Sequence, residues 1–446
     1  MTQIVKIGGK SGATLEKNQR IIEQIRHFDE PTVVVVSANG GATDRIQGFL
    51  EGKTIGPEQI FQEFEMMYKS LETRHTRNGH LTHLRDLTYD EFERAPKDTA
   101  ALHMSGERLA AALFDAMLDE NGVSSEFVDF VDEGFPVKVS GDDHNARIDY
   151  DASREAASAF MKKNGSRFIV LPGYGGLDVK SRKFKTLGRG GSDTSAMGNM
   201  YAFSASGLWM LTDVPGILRY AGLKDRAGED DVVGCLGMDE IEDAASLGVK
   251  LPGRKAVEGI EKYFGEGASP QIYITMDADI SGPRTAIVRK DGKKEPVKLV
   301  GGRNIIFYKI KGDIRGLHNV LMKKYVEHTA QMSNTWTRLM IPEYDGDSRS
   351  YVDGVLSRLL GARPGTKVEY YTDLAWVGVV GNGMESNGSV YRQEAMGIAA
   401  RAASALSSID IVYQMDPGEV SLGYVVHRKD SRAAQEALYN EFLNGR

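Results

Sequence analysis

The residues of this chain best suited to chemistry are basic side chains set against glycine turns. Lys185-Thr186-Leu187-Gly188-Arg189-Gly190-Gly191-Ser192-Asp193 puts three glycines within four positions, ahead of the small-residue stretch Thr194-Ser195-Ala196-Met197. Glycines let a backbone approach a ligand closely. Ser192-Asp193 predicts an N-cap with a helix beginning near Thr194, whose free N–H groups attract an anion, with phosphate the natural occupant. Arg189 offers a bidentate contact to carboxylate or phosphate, and Asp193 beside a phosphate makes sense as an organiser of lysines or metal. Read alone, the pattern also fits a glycine-rich turn with a surface salt bridge.

Two further turns repeat the theme. Ile4-Val5-Lys6-Ile7-Gly8-Gly9-Lys10 is a short apolar strand ending in two glycines and flanked by lysines, and it predicts Gly8 and Gly9 at a ligand crevice with Lys6 beside them. The alternative for Lys6 is a solvated edge charge. Thr32-Val33-Val34-Val35-Val36 is a continuous β-branched run, expected to be buried on both faces, that ends in Ser37-Ala38-Asn39-Gly40-Gly41-Ala42-Thr43-Asp44.

The elements that must position these turns follow an α/β rhythm. A helix is expected from Leu15 to His27, and the stretch from Glu58 to Tyr89 reads as mostly helical. Within it, His80 and His83 have no third ligand nearby and fit a polar helix end or loop better than a zinc site. Ser105-Gly106 is expected to open an amphipathic helix, with Glu107 in its first turn, where a surface role is favoured. Arg167 to Gly176 is a buried strand ending in glycines, followed by a polar loop into the Lys185 motif. Leu208 to Thr212 is another strand, leading into Asp213-Val214-Pro215-Gly216. Met238 to Leu247 reads as a helix broken by Gly248-Val249-Lys250, and Gln271 to Thr275 as a closing strand. Apolar strand, glycine turn and helix in alternation predict a mainly parallel sheet sandwiched by helices, its polar ends converging on one edge to bind a nucleotide and a small substrate.

A composition shift over 281–302, rich in Gly, Lys and Arg, marks a linker between a domain of 1–280 and one of 303–446. The second has a different rhythm. Strands are expected at Asn304–Lys311, Thr335–Ile341, Lys367–Tyr371, Trp376–Gly381, Ile411–Gln414 and Val420–His427. Helices are expected at Leu317–His328, Tyr351–Leu360, Tyr391–Leu406 and Arg432–Phe442, completing two ferredoxin-like α+β units that read as binding or dimerisation modules.

Composition excludes other classes. The 446 residues suffice for roughly two to four domains with substantial cores, and 41% hydrophobic with 26% charged residues is ordinary for a globular protein. A net charge of -7 without a strongly basic stretch argues against nucleic acid or an anionic membrane as partner. Cys235 stands alone, so no intrachain disulfide forms. No signal-peptide pattern and no run of about 18 apolar residues is present, which predicts a cytoplasmic protein.

Taken together, these motifs resemble those of the aspartate kinases, of the amino acid kinase family. The resemblance covers nearly the whole chain and runs in order: Lys6-Ile7-Gly8-Gly9, Val36 to Asp44, Gly106-Glu107-Arg108-Leu109, Thr186 to Asp193, Thr212 to Gly216 and Ser246 to Lys250. The tail from Val377 to Val426 resembles the second of two ACT domains, small units that in this family bind amino acid effectors. The resemblance implies ATP and Mg²⁺ as cofactors and L-aspartate as acceptor, giving 4-phospho-L-aspartate, the first step of the aspartate-derived amino acid pathway. It implies lysine or threonine as possible effectors, and a homodimer or higher homo-oligomer built through the ACT domains. Lys6 is then the residue that stabilises the transferred phosphoryl group, Asp193 the one that holds lysine and metal in place, and Lys250 a third catalytic residue. Gly8, Gly9 and Gly190 cradle phosphate; Thr212, Asp213 and Lys250 lie on the nucleotide side; Ser37, Thr43, Glu107, Arg189 and Ser192 face aspartate. No set of protein metal ligands is assigned.

Departures from the family pattern are specific. Lys10 stands for the usual Thr. Ile217-Leu218-Arg219-Tyr220-Ala221 occupies the place of a Tyr and a later Asp-Pro-Arg, so the adenine pocket does not carry over. Pro252-Gly253-Arg254 replaces Leu-His-Pro, and Met415-Asp416-Pro417-Gly418 replaces a Gly-Ser-Ser type segment, so effector identity does not carry over either. A paralogue for another acidic amino acid and a non-catalytic sensor of amino acid or nucleotide remain as alternatives. Retention of Lys6, Glu107, Arg189, Asp193 and Lys250 favours the enzyme. Glutamate and acetylglutamate kinases fit less well, lacking the paired ACT tail.

Overall fold

The computed structural model describes residues 1–53, 55–73, 79–93, 99–132, 134–163, 165–188, 190–224, 227–249, 251–293, 295–311, 329–332, 336–343, 352–358, 367–382, 389–414 and 420–444. The chain opens with β1 (Gln3–Ile7), α1 (Leu15–Ile25), β2 (Thr32–Val36), α2 (Ala42–Leu50), α3 (Pro57–Ile60), α4 (Gln62–Thr73), α5 (Gly79–Glu93) and α6 (Thr99–Glu120). It continues with β3 (Ser125–Phe127), β4 (Lys138–Ser140), β5 (Arg147–Ile148), α7 (Tyr150–Lys163), β6 (Phe168–Pro172), β7 (Gly175–Asp178), β8 (Phe184–Thr186), α8 (Gly191–Ala202) and β9 (Gly207–Thr212). Next come β10 (Cys235–Gly237), α9 (Met238–Ser246), α10 (Arg254–Gly265), β11 (Gln271–Met276), β12 (Asp279–Val288) and β13 (Leu299–Lys311). The last part holds β14 (Thr329–Met332), β15 (Trp336–Pro342), α11 (352–358), β16 (Lys367–Val380), α12 (Ser389–Ala405), β17 (Ile411–Gln414), β18 (Ser421–His427) and α13 (Ser431–Phe442).

Two compact units result, Met1–Gly216 with Lys255–Ile287, and Ile217–Arg254 with Val288–Arg446. Segment 217–254, expected inside the first domain, therefore groups with the C-terminal residues. Segment 281–302, expected as a linker, carries most of β12 and the start of β13. Gln271–Met276 is accordingly not a closing strand, because β12 returns antiparallel beside it.

In the first unit the main sheet runs β12-β11-β9-β1-β2-β6-β3, parallel from β11 through to β3. Parallel strands must be covered on both faces, which is why Thr32-Val33-Val34-Val35-Val36 is buried at every position. Val5, Ile7, Val34 and Val36 pack with Ile21 and Ile22 of α1 and Leu109 and Leu113 of α6. Against the sheet's β1, β2 and β9 lies α8, whose residues are buried on all sides apart from Asp193. A side sheet, β5-β4-β7-β8, takes up through its β7–β8 hairpin the stretch read as a polar loop before the Lys185 motif. The β7–β8 hairpin delivers Thr186 directly to the glycine turn.

Among its described residues the second unit is built on a six-stranded antiparallel sheet, ordered β14-β15-β13-β16-β18-β17. The two strands expected at Lys367–Tyr371 and Trp376–Gly381 are one, β16, which pairs with β13 along nearly its full length. Two cores sit along this shared sheet, one around Val377, Leu422, Ala434 and Leu438, the other around Ile306, Tyr308, Leu339 and Val355. The two ferredoxin-like units are thus fused edge to edge. The helix expected at Leu317–His328 and the segment Met415–Gly418 lie outside the described residues.

Candidate active site

Parallel register brings the carboxyl ends of β9, β1, β2 and β6 to one edge, since Ile7 lies beside Val36 and Leu211, and Val36 beside Pro172. Gly9 is where the edge is tightest. A Cβ there would lie 2.4 Å from the Ala38 carbonyl oxygen, and the Gly40 N–H donates to the Gly9 carbonyl at 3.2 Å, so the β1 and β2 turns are laced together. Lys6 reaches over the Gly8 turn and forms an ion pair with Asp193, Nζ to Oδ1 2.7 Å, at side-chain exposures of 13% and 24%. A charged pair at this partial exposure remains accessible to a ligand.

The glycine turn before α8 differs from expectation in its geometry. The helix begins at Gly191, three residues earlier than anticipated, with Gly190 as N-cap in the left-handed region at φ 71°. Ser192 and Asp193 therefore occupy the first helical turn. Neither caps it; a glycine makes the entry, where a side chain would be strained, and Asp193 is free to aim at Lys6. Arg189 and Lys250 lie outside the described residues.

Glu107 is the largest correction. Helix α6 begins at Thr99, so Ser105-Gly106 lies within it and Glu107 is 2% exposed, not at a solvated first turn. Gly106 lets α6 press against the β2 turn: a Cβ would lie 2.8 Å from the Ala38 Cβ. Burial pushes the Glu107 carboxyl up to about 8, against the opposing pull of its own N–H and that of Ala38. Glu107 Oε2 and Asn39 Oδ1 are buried with no hydrogen-bond partner among the described residues. Buried acceptors left open at the edge of a parallel sheet are groups that a donor-bearing ligand satisfies.

On the other flank, Thr212 Oγ1 donates to the Val214 carbonyl at 2.8 Å, closing its own turn, and Asp213 forms an ion pair with Lys10 at 3.6 Å. The extra positive charge at position 10 is thus partly matched. Two residues not anticipated from sequence join here: the Asp277 N–H donates to the Thr212 carbonyl at 2.9 Å, and Lys17 Nζ lies 3.8 Å from Asp277 and 2.8 Å from the Lys10 carbonyl. Nothing in their local sequence marks them; Asp277 is brought in by β11 pairing with β9. Ser37 is held by its N–H donating to the Ile7 carbonyl at 3.1 Å, Thr43 sits in the first turn of α2, and Ser192 packs beside Gly173 at the end of β6. Lys6, Gly8, Gly9, Ser37, Glu107, Gly190, Ser192, Asp193, Thr212 and Asp213 are therefore borne on neighbouring strand ends and the helices that follow or cover them.

Residues 1–262 match the model of the amino acid kinase family. The chain belongs to the amino acid kinase family. It is 26% identical to an aspartate kinase of Stutzerimonas stutzeri, covering 98% of this chain and 96% of that one, and 25% identical to an aspartokinase of Pseudomonas aeruginosa over 98% and 97%. Among solved structures, E. coli aspartokinase III in complex with aspartate and ADP, in its R-state, matches with a TM-score of 0.79 at 19% identity, covering 100% of both chains. The aspartate kinase of Clostridium acetobutylicum matches at 0.71 and 17%, covering 99% and 100%. This amino acid kinase thus shares its fold through both units with those enzymes. Among the described residues no helix is long and apolar enough to cross a membrane.

Proposed function

We propose that this amino acid kinase is an aspartate kinase, transferring the γ-phosphoryl group of ATP to the side-chain carboxylate of L-aspartate. The observation that carries this reading is the Lys6–Asp193 pair at 2.7 Å, which joins the β1 glycine turn to the first turn of α8, together with the buried acid Glu107 on α6. A zwitterion with an extra carboxylate presents one ammonium and two anions. Glu107 suits the ammonium, while Ser37, Thr43, Arg189 and Ser192 serve the carboxylates.

A carboxylate has no proton to lose at neutral pH, so no general base is required. A carboxylate oxygen attacks the γ-phosphorus, the bond to the β–γ bridging oxygen breaks, and the electron pair leaves with ADP. What the protein supplies is positioning and neutralisation of converging negative charge. Lys6 holds the transferred phosphoryl oxygens, and Asp193 keeps the Lys6 ammonium aimed at them. Gly8 and Gly9 let the β1, β2 and β9 turns close up, so that they and Gly190 offer backbone N–H groups to phosphate, and Thr212, Asp213 and Lys250 are assigned to the nucleotide.

Among the described residues no three His, Cys, Asp or Glu side chains gather to hold a metal ion. Mg²⁺ brought in by ATP takes most of its ligands from phosphate and water and needs one or two carboxylates, a part for which the partly exposed Asp193 beside Lys6 is suited. When bound, it spreads the charge of the phosphates. The second unit is proposed to bind an amino acid effector, with lysine and threonine the first to test, and to join subunits of a cytoplasmic homo-oligomer.

The test is ADP release from purified protein with Mg-ATP and a panel of amino acids, the acyl phosphate being trapped as a hydroxamate. Aspartate alone among the panel is expected to give product. Hydroxamate with a different acid only would reassign the substrate, and ATP binding without turnover would make the protein a sensor. Loss of rate on adding lysine or threonine is expected of a regulated enzyme; no response to any common amino acid would leave the second unit a structural role.

A further inference from the structure

Lys255, outside every motif quoted above, touches the glycine-rich turn from behind. It lies at the start of α10, and its ammonium donates to the Leu187 carbonyl at 2.7 Å, to the Ala146 carbonyl at 3.1 Å and to the Asn145 side-chain oxygen. Leu187 immediately precedes Gly188, which is left-handed at φ 76°. The same Asn145 oxygen closes over Gly188, where a Cβ would lie 2.9 Å from it. From there the Gly191 N–H donates to the Gly188 carbonyl at 2.9 Å, so the pose of Gly188 is passed directly to the start of α8.

Such a contact is costly to build with a lysine, because a partly buried ammonium loses hydration. Burial, and then repulsion from Arg147, lower its affinity for the proton to a pKa of about 8, while Glu258 and Asp142 act the other way. A side chain used only to fill space here would be apolar. The ammonium offers three donors and no acceptor, which suits oxygens converging from two segments, 145–146 and 187.

We propose that Lys255 is a positioning residue of phosphoryl transfer: it gathers Leu187, Ala146 and Asn145, locks the left-handed turn at Gly188, and so aims the first turn of α8 carrying Ser192 and Asp193. The assignment rests on the kinase reading above. Through Asp193 it governs Lys6, without touching substrate itself.

The experiment compares the full-length wild type with K255M and K255R by amide hydrogen exchange and steady-state kinetics. In K255M the Leu187 and Gly191 amides are expected to exchange about tenfold faster or more, as for a locally opened turn. Its kcat is expected to fall about tenfold or more while the KM for ATP stays within about threefold, the split of an interaction felt in the transition state. Wild-type kcat at saturating substrates should decline above about pH 8 as the ammonium titrates, with Arg147, Glu258 and Asp142 as the charges facing it. K255R, permanently charged, should retain more activity than K255M and lose that alkaline decline. Unchanged exchange in K255M, or kcat within about twofold of wild type, would overturn the proposal. If K255M does not fold, an unshifted alkaline decline in K255R overturns it instead. Absence of turnover in the wild type would refute the kinase reading, and the exchange comparison would still decide on the clamp.

Discussion

Replacing Glu107 with Gln tests the substrate site at its most unusual residue. With its carboxyl raised to about 8, Glu107 is mostly protonated at neutral pH while the site is empty. An incoming ammonium recovers the charge-assisted bond, worth roughly 1.5 to 3 kcal/mol. At pH 7, however, the carboxyl must first ionise one unit below its pKa, which costs about 1.4 kcal/mol. The net loss in kcat/KM for aspartate on E107Q should therefore be roughly 0 to 1.5 kcal/mol at pH 7 and the full 1.5 to 3 kcal/mol at pH 9. The ratio of wild type to variant thus climbs by up to about tenfold per pH unit below pH 8 and then levels off. ATP affinity should hardly move. Calorimetry in buffers of different ionisation enthalpy should show about one proton released on aspartate binding at pH 7, absent in E107Q.

The same shift has a stability side with a definite sign. A carboxyl whose pKa is raised on folding stabilises the fold fully below the unfolded value near 4.5 and loses that contribution as pH rises through 8. The thermal midpoint of E107Q relative to wild type should accordingly rise between pH 4.5 and 8 and level off above. A kcat/KM ratio that is flat with pH, or less than about twofold at pH 9, would remove Glu107 from the substrate site.

Three further substitutions probe other levels of the structure. D193N should lower kcat by roughly 10² with less effect on ATP affinity, since it frees the Lys6 ammonium; near-normal kcat in a folded variant would reduce Asp193 to a helix-terminus charge. G9A should cost about 1 to 3 kcal/mol in stability and raise the KM for ATP, because its Cβ would stand 2.4 Å from the Ala38 carbonyl oxygen; an unchanged melting curve would show that the turns separate easily. In the second unit, Lys298 pairs with Glu240 at 2.7 Å and Asp291 at 2.6 Å, with side-chain exposures of 2%, 0% and 10%. K298M strips the counter-charge from buried Glu240, and denaturant unfolding should show a loss of about 3 to 5 kcal/mol; less than about 1 kcal/mol would mean the acid neutralises there at little cost.

The Glu240 network also bears on how the protein can be dissected. Glu240 accepts the Asn382 N–H at 2.9 Å, and Arg303 donates to the Ala245 carbonyl at 3.1 Å, so α9 is built onto the sheet of the second unit. A truncation at Gly302 cuts β13 and strips these partners from α9. Effector binding is therefore better tested by titrating the full chain.

Local chemistry was enough to read the sheet and its turns. A continuous β-branched run such as Thr32 to Val36 has one comfortable location, the doubly covered interior of a parallel sheet, and glycines at strand ends declare close approaches whatever the rest of the chain does. Lys6 and Asp193 could be named because each belongs to a compact motif. What sequence could not settle was decided by contacts between distant segments. Glu107 looks like a helix-start surface acid until α6 is seen to begin at Thr99 and press Gly106 against Ala38. The Ser192-Asp193 pair has the composition of a cap, but the left-handed Gly190 makes the turn instead and leaves Asp193 to Lys6, almost two hundred residues away in sequence. Lys255 and Asp277 carry no local signature at all. Their positions follow from packing and strand pairing, and a charge acquires its role in this protein only when folding strips its water and supplies its partners.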